Sequence, residues 1–103
     1  MYLLSIFRAT GGTYYFRLIR ISDGYIWNVQ TGKYAIDTSW ADSAVSMTER
    51  EVNLGQYPIN LPANIDAAKH DLVTYVQAGG SPATSDEIDL GMEIAGVTGQ
   101  HGI

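Results

Sequence analysis

Turn-forming dipeptides divide the first third of this chain into segments of strand length. Gly11-Gly12 precedes TYYFRLIRI, Asp23-Gly24 separates that run from YIWNV, and Thr31-Gly32 precedes KYAI. Runs rich in Tyr, Phe, Ile and Leu between such dipeptides are typical of β-hairpins, whereas helices need longer uninterrupted segments. The spacing therefore predicts a meander of three strands over residues 13 to 36.

Later segments also have strand patterns. In EIDLGMEI, apolar residues starting at Ile88 alternate with acidic residues and a glycine, which predicts one face in the core and one in water. DLVTYVQ is partly apolar on both faces, as in a strand at the centre of a sandwich. The two prolines of GQYPINLP favour an edge strand or an irregular extended segment over a helix. We expect a core that includes Leu18, Trp27, Val76, Leu90, Met92 and Ile94.

The segment SWADSAVSMTERE permits two interpretations. It can open a helix with Ser39 as the N-cap, or it can hold a strand with Val45 and Met47 on one face. We favour the strand. Further along, NIDAAKH is interpreted as a helical turn that precedes DLVTYVQ.

Length and composition indicate a single all-β domain. A chain of 103 residues fits one domain, and 46% apolar with 17% charged residues is typical of globular proteins. Seven tyrosines and eleven glycines favour strands joined by turns. We predict one immunoglobulin-like antiparallel β-sandwich of about seven short strands over residues 13–95, with an apolar strand or arm at 1–12 and a flexible tail at 96–103.

Charge and hydropathy argue against several classes of partner. The net charge is −5, and the six basic residues are scattered from Arg8 to Lys69, whereas duplex binding requires clustered Lys and Arg. The opening MYLLSIF is too short to cross a bilayer and lacks the features of a secretory signal. The sequence contains no cysteine, so it offers no disulfide or thiolate metal site. We expect no binding to nucleic acid or membranes.

MYLLSIF is apolar on both faces of a predicted strand, and such a strand needs a cover at an exposed sheet edge. It either completes the sheet of its own sandwich or adds to the sheet edge of a neighbouring subunit. We favour the first alternative for the backbone. The side chains expected to contact a neighbouring subunit are Tyr2, Leu4 and Ile6.

Residues 76–88, VQAGGSPATSDEI, form a candidate functional loop. As a connector between strands, it would use glycines that can adopt positive φ, a proline suited to a turn, and Ser85 or Asp86 bonded to the backbone of the returning strand. The alternative is a Ca²⁺ site with Asp86, Glu87 and Asp89 as ligands, although the segment lacks the ligand spacing of an EF-hand. We favour the connector and expect no metal and no cofactor. The residues singled out are Gly79, Gly80, Ser81, Pro82 and Asp86.

Catalytic patterns are sparse. A hydrolase triad would need His70, yet the sequence has no G-x-S-x-G motif, and Gly11-Gly12 is followed by no Lys-Ser or Lys-Thr pair that would hold a phosphate. We interpret His70 as a surface residue near a strand start. The chain is expected not to be an enzyme.

A set of short motifs remains: Trp27-Asn28, Trp40-Ala41, Thr48-Glu49, Tyr57, Leu61-Pro62, and a Gln-Ala-Gly-x-Ser-Pro-Ala-x-x-Asp loop from Gln77 to Asp86. Together they resemble a small β-sandwich module that recurs in structural proteins of tailed bacteriophages and in prophage-encoded proteins. The resemblance covers roughly residues 14 to 95, and the loop is its most specific part. It implies a virion protein, assembled in the host cytoplasm.

The resemblance implies functions of two classes. The first is a capsid decoration or cement protein, present in many copies, that binds capsid or other virion proteins and stabilises the head. The second is a carbohydrate- or host-surface-binding module of a tail or baseplate, in which exposed tyrosines stack on sugars. We favour decoration because the chain is acidic and shows no catalytic motif.

Overall fold

The computed structural model of the chain describes residues 2–8, 12–49, 55–63 and 65–95, with the backbone alone for residues 2–4. This part of the chain contains eight strands and one short helix. In chain order they are β1 (Tyr2–Phe7), β2 (Tyr14–Arg20), β3 (Ile26–Asn28), β4 (Lys33–Ala35), α1 (Trp40–Ser43), β5 (Val45–Met47), β6 (Gln56–Asn60), β7 (Lys69–Val76) and β8 (Glu87–Ala95).

The strands form two antiparallel sheets of unequal size. The larger sheet has six strands in the order β4-β3-β2-β7-β8, with β5 paired to β2 beside this path, and the smaller sheet pairs β1 with β6. The all-β, antiparallel, sandwich-like fold predicted from the sequence is confirmed. Seven of the eight described strands, β2 to β8, lie within residues 13–95, where about seven were expected.

The predicted meander is confirmed, and its turns follow the expected chemistry. Gly24 and Gly32 adopt φ of 73° and 68°, in the left-handed region that favours glycine. Asn28 accepts hydrogen bonds from the backbone amides of Gln30 and Thr31 at 2.9 and 3.1 Å, which closes the turn between β3 and β4. These contacts span at most three residues, so local sequence is sufficient to predict them.

The segment after Ser39 forms both of the structures that were considered. Ser39 precedes α1, which has four residues, and β5 follows directly with Met47 buried. The favoured strand is confirmed, but it is shorter than the segment. The helical turn expected before β7 is wrong for its described residues, because residues 65–68 are not helical and β7 begins at Lys69.

The core lies between the small sheet and one face of the large sheet, called here the inner face. Alternate residues of β2 project into it, and Tyr14 packs edge-on against Tyr57 of β6 with ring centroids 4.7 Å apart. The buried residues of this cluster are Ile6, Tyr14, Phe16, Leu18, Trp27, Met47, Tyr57, Ile59, Leu61, Ile65, Leu72 and Ile94.

The predicted core is correct for Leu18, Trp27 and Ile94, and Leu90 and Met92 are partly buried against it. It is wrong for Val76, which is 37% exposed. Val76 is the last residue of β7 and lies opposite Glu87, the first residue of the edge strand β8. No apolar side chain of β8 therefore adjoins it at that register position.

A β-bulge corrects the prediction for Ile88. Thr74 pairs with Leu90 but Tyr75 pairs with Ile88, so Asp89 is an extra residue on β8. Because a shift of one residue moves side chains to the opposite face of a sheet, Ile88 lies on the outer face, where it is 67% exposed. Leu90 and Ile94 keep their inward position beyond the bulge.

The N-terminal strand belongs to the chain's own sandwich, because β1 pairs with β6. Ile6 is 4% exposed in the core of its own domain, which corrects the expectation that it contacts a neighbouring subunit. On the opposite face of the strand, Phe7 is 66% exposed. The side chains of Tyr2 and Leu4 lie outside the described residues, as does the C-terminal segment 96–103.

His70 is also corrected, since it is fully buried rather than on the surface. Its Nδ1 lies 2.7 Å from the carbonyl oxygen of Ala68, which can only accept, so the hydrogen-bond network assigns the proton to Nδ1. Nε2 then accepts from the hydroxyl of Tyr34 at 2.6 Å. Both ring nitrogens are occupied by internal partners.

Candidate functional site

The outer face of the large sheet carries most of the polar and aromatic groups that could form a site. Tyr15 and Arg17 of β2 alternate with the core residues of the same strand, and Val73 and Tyr75 of β7 pair with them across the sheet. The β7–β8 register places Gly91 beside Val73 and Ile88 beside Tyr75. Three strands, β2, β7 and β8, thus contribute side chains to this surface, which lies opposite the small sheet.

Tyr15, Arg17, Trp40 and Tyr75 form what we call the outer aromatic cluster. The rings of Tyr15 and Tyr75 stack at 5.1 Å with 15° between their planes, and Trp40 meets Tyr75 edge-on at 5.2 Å. The Arg17 guanidinium lies 3.9 Å from the centre of the Trp40 ring. The short helix α1 is therefore packed on the outer face through its first residue.

A second contact fixes α1 in this position. Arg17 Nε donates a hydrogen bond of 2.8 Å to Ser43 Oγ, and Ser43 Oγ donates one of 2.7 Å to the carbonyl of Trp40. Ser43 is fully buried. Because Arg17 both stacks on Trp40 and binds the end of the same helix, it holds a helix too short to be stable alone.

The 76–88 loop is bound to this cluster through Asp86. Trp40 Nε1 donates to the hydroxyl of Tyr15 at 2.8 Å, and that hydroxyl donates to Asp86 Oδ2 at 2.7 Å. Asp86 also accepts from the backbone amides of Ala78 and Ala83, at 3.1 and 2.9 Å. One buried carboxylate therefore joins both sides of the loop to the sheet.

The hydrogen bond between Tyr15 and Asp86 moves their titrations apart. Burial, reinforced by the bond to Asp86, raises the pKa of Tyr15 to about 12. The same hydrogen bond, followed by those from Ala83 and Ala78, lowers the pKa of Asp86 below its ordinary value. At neutral pH the pair is a phenol that donates to a carboxylate.

The other predicted loop residues occupy the tip. Gly79, Gly80 and Ser81 are exposed, and Pro82 is partly buried. Neither glycine adopts positive φ, so the conformational reason expected for them is wrong; the shape of the loop depends on Asp86 instead. Asp86 binds the backbone, but at Ala78 and Ala83 of the loop and not at the returning strand β8, where the connector interpretation placed the bond.

Two of the three carboxylates considered for Ca²⁺, Asp86 and Asp89, have separate partners. Asp89, the bulge residue, accepts from Arg8 Nε at 2.7 Å, and Asp86 binds Tyr15 and the loop backbone. Among the described residues, no group of three or more His, Asp or Glu side chains is placed to hold a metal ion.

The outer face has an open part beyond the cluster. Ile19, Ile26 and Val73 are partly buried there, Ile88 is exposed, and a Cβ added at Gly91 would meet no atom within 4 Å. We call the surface formed by Val73, Ile88 and Gly91 the Gly91 depression. The sequence pattern places Gly91 on the water-facing side of the strand. The signal that could have drawn attention to it is a glycine inside the otherwise regular alternation of apolar and acidic residues in EIDLGMEI.

Comparisons with models of protein families, with curated proteins and with solved structures found no match to this chain. Within the described ranges, no helix has the length and apolar character that a membrane crossing needs.

Proposed function

We propose that this chain is a non-enzymatic structural module of a bacteriophage virion, acting as a small decoration protein that binds and stabilises the capsid. The observation that carries the proposal is the meeting point of two motifs on which the phage resemblance rests. Trp40 of the Trp-Ala step and Asp86 of the loop both contact Tyr15, whose ring stacks on Tyr75. The motifs thus form one cluster that holds the loop and helix on the sheet.

Five further motif residues have packing or turn-closing roles. Trp27, Tyr57 and Leu61 are buried in the core, and Asn28 closes a turn. Glu49 Oε2 accepts from the amide of Gly55 at 2.6 Å. Residues with these roles preserve a shape rather than perform a reaction. A module defined by its shape suits a protein whose function is to bind the same surface many times.

Two described groups that catalysis could use, His70 and Asp86, are committed to the fold. Both nitrogens of His70 are hydrogen-bonded inside the domain, and the Asp86 carboxylate binds three internal donors. A general base must be within reach of a substrate proton, and these two groups are held away from solvent. This arrangement supports a binding role.

The test is to locate the chain in particles. Phage particles from a strain that carries the gene are separated on a density gradient, and DNA-filled heads and isolated tails are analysed by quantitative mass spectrometry. We expect the chain in the head fraction at a fixed copy number. Heads made without the gene should bind the purified chain until saturated and then withstand heating better. Its absence from all particle fractions would contradict the proposal.

The carbohydrate-binding alternative is less well supported by the positions of the aromatic rings. Tyr14, Tyr15 and Tyr57 are buried, and one face of the Trp40 ring is covered by Arg17. Sugar stacking requires an open aromatic face. Glycan-array binding that disappears on Tyr25→Ala, a partly exposed tyrosine, would favour this alternative over decoration.

A further inference from the structure

Gly91 lies inside β8, and the described residues show no steric requirement for a glycine there. Its φ is outside the left-handed region, and a Cβ at this position would meet no atom within 4 Å. Glycine inside a strand destabilises it relative to residues with side chains, and it often marks a place where another backbone or ligand approaches closely. No group of the described residues approaches Gly91, so the missing side chain leaves room there for an external group.

A second unfavourable feature lies next to Gly91 on the same face. Asp71 of β7 pairs directly with Glu93 of β8, and both side chains are exposed. Like charges directly opposite each other destabilise an antiparallel pair. Lys69 Nζ lies 3.8 Å from Glu93 Oε2, but the Lys69 side chain is well exposed, so this ion pair offsets little of the repulsion between Asp71 and Glu93. A cation supplied from outside would neutralise the pair.

The two features lie in order along β8. Ile88, Gly91 and Glu93 share the outer face, with Val73 opposite Gly91 and Asp71 opposite Glu93. The surface is therefore apolar and open at one end and acidic at the other. Sites where a sequence departs from the local rules of strand stability are expected to be functional sites, because the loss is offset elsewhere.

We propose that the Gly91 depression, together with Asp71 and Glu93, is a docking site for a partner protein that inserts an aromatic side chain over Gly91 and places Lys or Arg beside the two carboxylates. An aromatic ring would cover Gly91 and contact Val73 and Ile88, while the cation would relieve the repulsion between Asp71 and Glu93. The identification of the partner as another virion protein rests on the proposed function; the recognition chemistry does not.

A second copy of this chain does not fit the same site. An isologous contact would bring Asp71 and Glu93 of one copy against those of the other, in a chain of net charge −5. Juxtaposed like charges oppose association. The site therefore favours a partner with a basic rim.

The test uses the full chain, labelled with ¹⁵N, and the peptide Ac-Lys-Trp-Lys-NH2. We expect amide shifts centred on Val73, Ile88, Gly91 and Glu93, with a dissociation constant on the order of 1 mM, as for a small flexible ligand. Ac-Glu-Trp-Glu-NH2 and Ac-Lys-Ala-Lys-NH2 should each bind at least roughly tenfold more weakly, since each lacks one of the two contacts.

Gly91→Val fills the depression and should abolish the shifts without changing the remaining spectrum. Gly80→Val is the matched control, because Gly80 also has open space at its Cβ and no positive φ. It should bind as the wild type does. Shifts centred elsewhere, equal binding of the acidic peptide, or dimerisation that Gly91→Val removes would each overturn the proposal.

The same variants separate this inference from the proposed function. If the wild type co-sediments with heads and Gly91→Val does so equally well, the docking site is wrong and decoration stands. If the chain is absent from all particles but the basic peptide binds at Gly91, decoration is wrong and the docking site stands.

Discussion

Two adjacent tyrosines show how differently the two faces of the large sheet are held. Tyr14 projects into the inner face, where its ring packs edge-on against Tyr57 among apolar side chains. Tyr15 projects to the outer face, where its ring stacks on Tyr75 and its hydroxyl joins Trp40 to Asp86. Both are buried, at 8% and 1% exposure. Burial alone therefore does not distinguish the faces; the kind of interaction does.

The inner face depends on apolar burial, which has no direction and tolerates exchanges of similar volume. The outer face depends on hydrogen bonds that need specific donors and acceptors, and a buried group that loses its partner is costly. We infer that stability resides mainly in the inner face. The outer face determines where the loop and helix lie, and hence the surface that a partner meets.

The largest effect is expected on the inner face. Leu18 is fully buried, so Leu18→Ala should lower the free energy of unfolding by about 2–5 kcal/mol, whereas Leu90→Ala should cost about half as much because Leu90 is only partly buried. Urea melts measure both. Equal losses would mean that β8 contributes to the core as much as β2 does, contrary to its edge position.

A smaller loss is expected when the outer network is opened. Asp86→Ala removes the acceptor for Tyr15 and for two loop amides, so the melting temperature should fall by roughly 5–10 °C. Glu87→Ala, at the neighbouring exposed position, is the control and should change it by less than about 2 °C. Tryptophan fluorescence should change in Asp86→Ala alone, since Trp40 is joined to Asp86 through Tyr15. An unchanged melting temperature would contradict the role given to Asp86.

Tyr15 and Asp86 of the outer face should also limit the pH range over which the domain is stable. The pKa of Tyr15 is raised from 10.0 to about 12, so its contribution is complete below about pH 10 and is lost as the pH rises toward 12. The pKa of Asp86 is lowered, so its contribution to stability is complete above the ordinary carboxyl range near pH 4. That contribution is lost as the pH falls below this range and through the lowered pKa of Asp86. Tyr15→Phe should flatten the alkaline decline in urea melts. If Tyr15→Phe loses as much stability at alkaline pH as the wild type does, the loss must come from the titration of another group.

The smallest effect has the opposite sign. Gly91→Val should raise the free energy of unfolding by about 0.5–1 kcal/mol, because the new side chain has free space and valine favours strands. Gly55→Val is a contrasting control, since Gly55 has φ of 69° and a Cβ there would lie 2.4 Å from the Arg8 carbonyl oxygen. It should destabilise the domain. Loss of stability in Gly91→Val would show that Gly91 serves the fold.

The sequence by itself determined the features that depend on near neighbours. The all-β class, the β2–β3–β4 meander and the edge position of β6 follow from alternation, turn dipeptides and prolines. The loop with Asp86 was also recognisable, because its glycines, proline and acidic residue form a local motif. In each case the signal that could be read is formed by residues close together in the chain.

Only the tertiary structure decided which face each side chain meets and what it binds. The bulge at Asp89 turned Ile88 outward, pairing with β6 placed Ile6 in the core, and Tyr34 enclosed His70. The outer cluster joins Tyr15 to Asp86 across 71 positions of the chain. Periodicity gives the faces of one strand only relative to each other; which face is buried depends on register and on the strands that pack against it, and these contacts are formed by residues far apart in sequence.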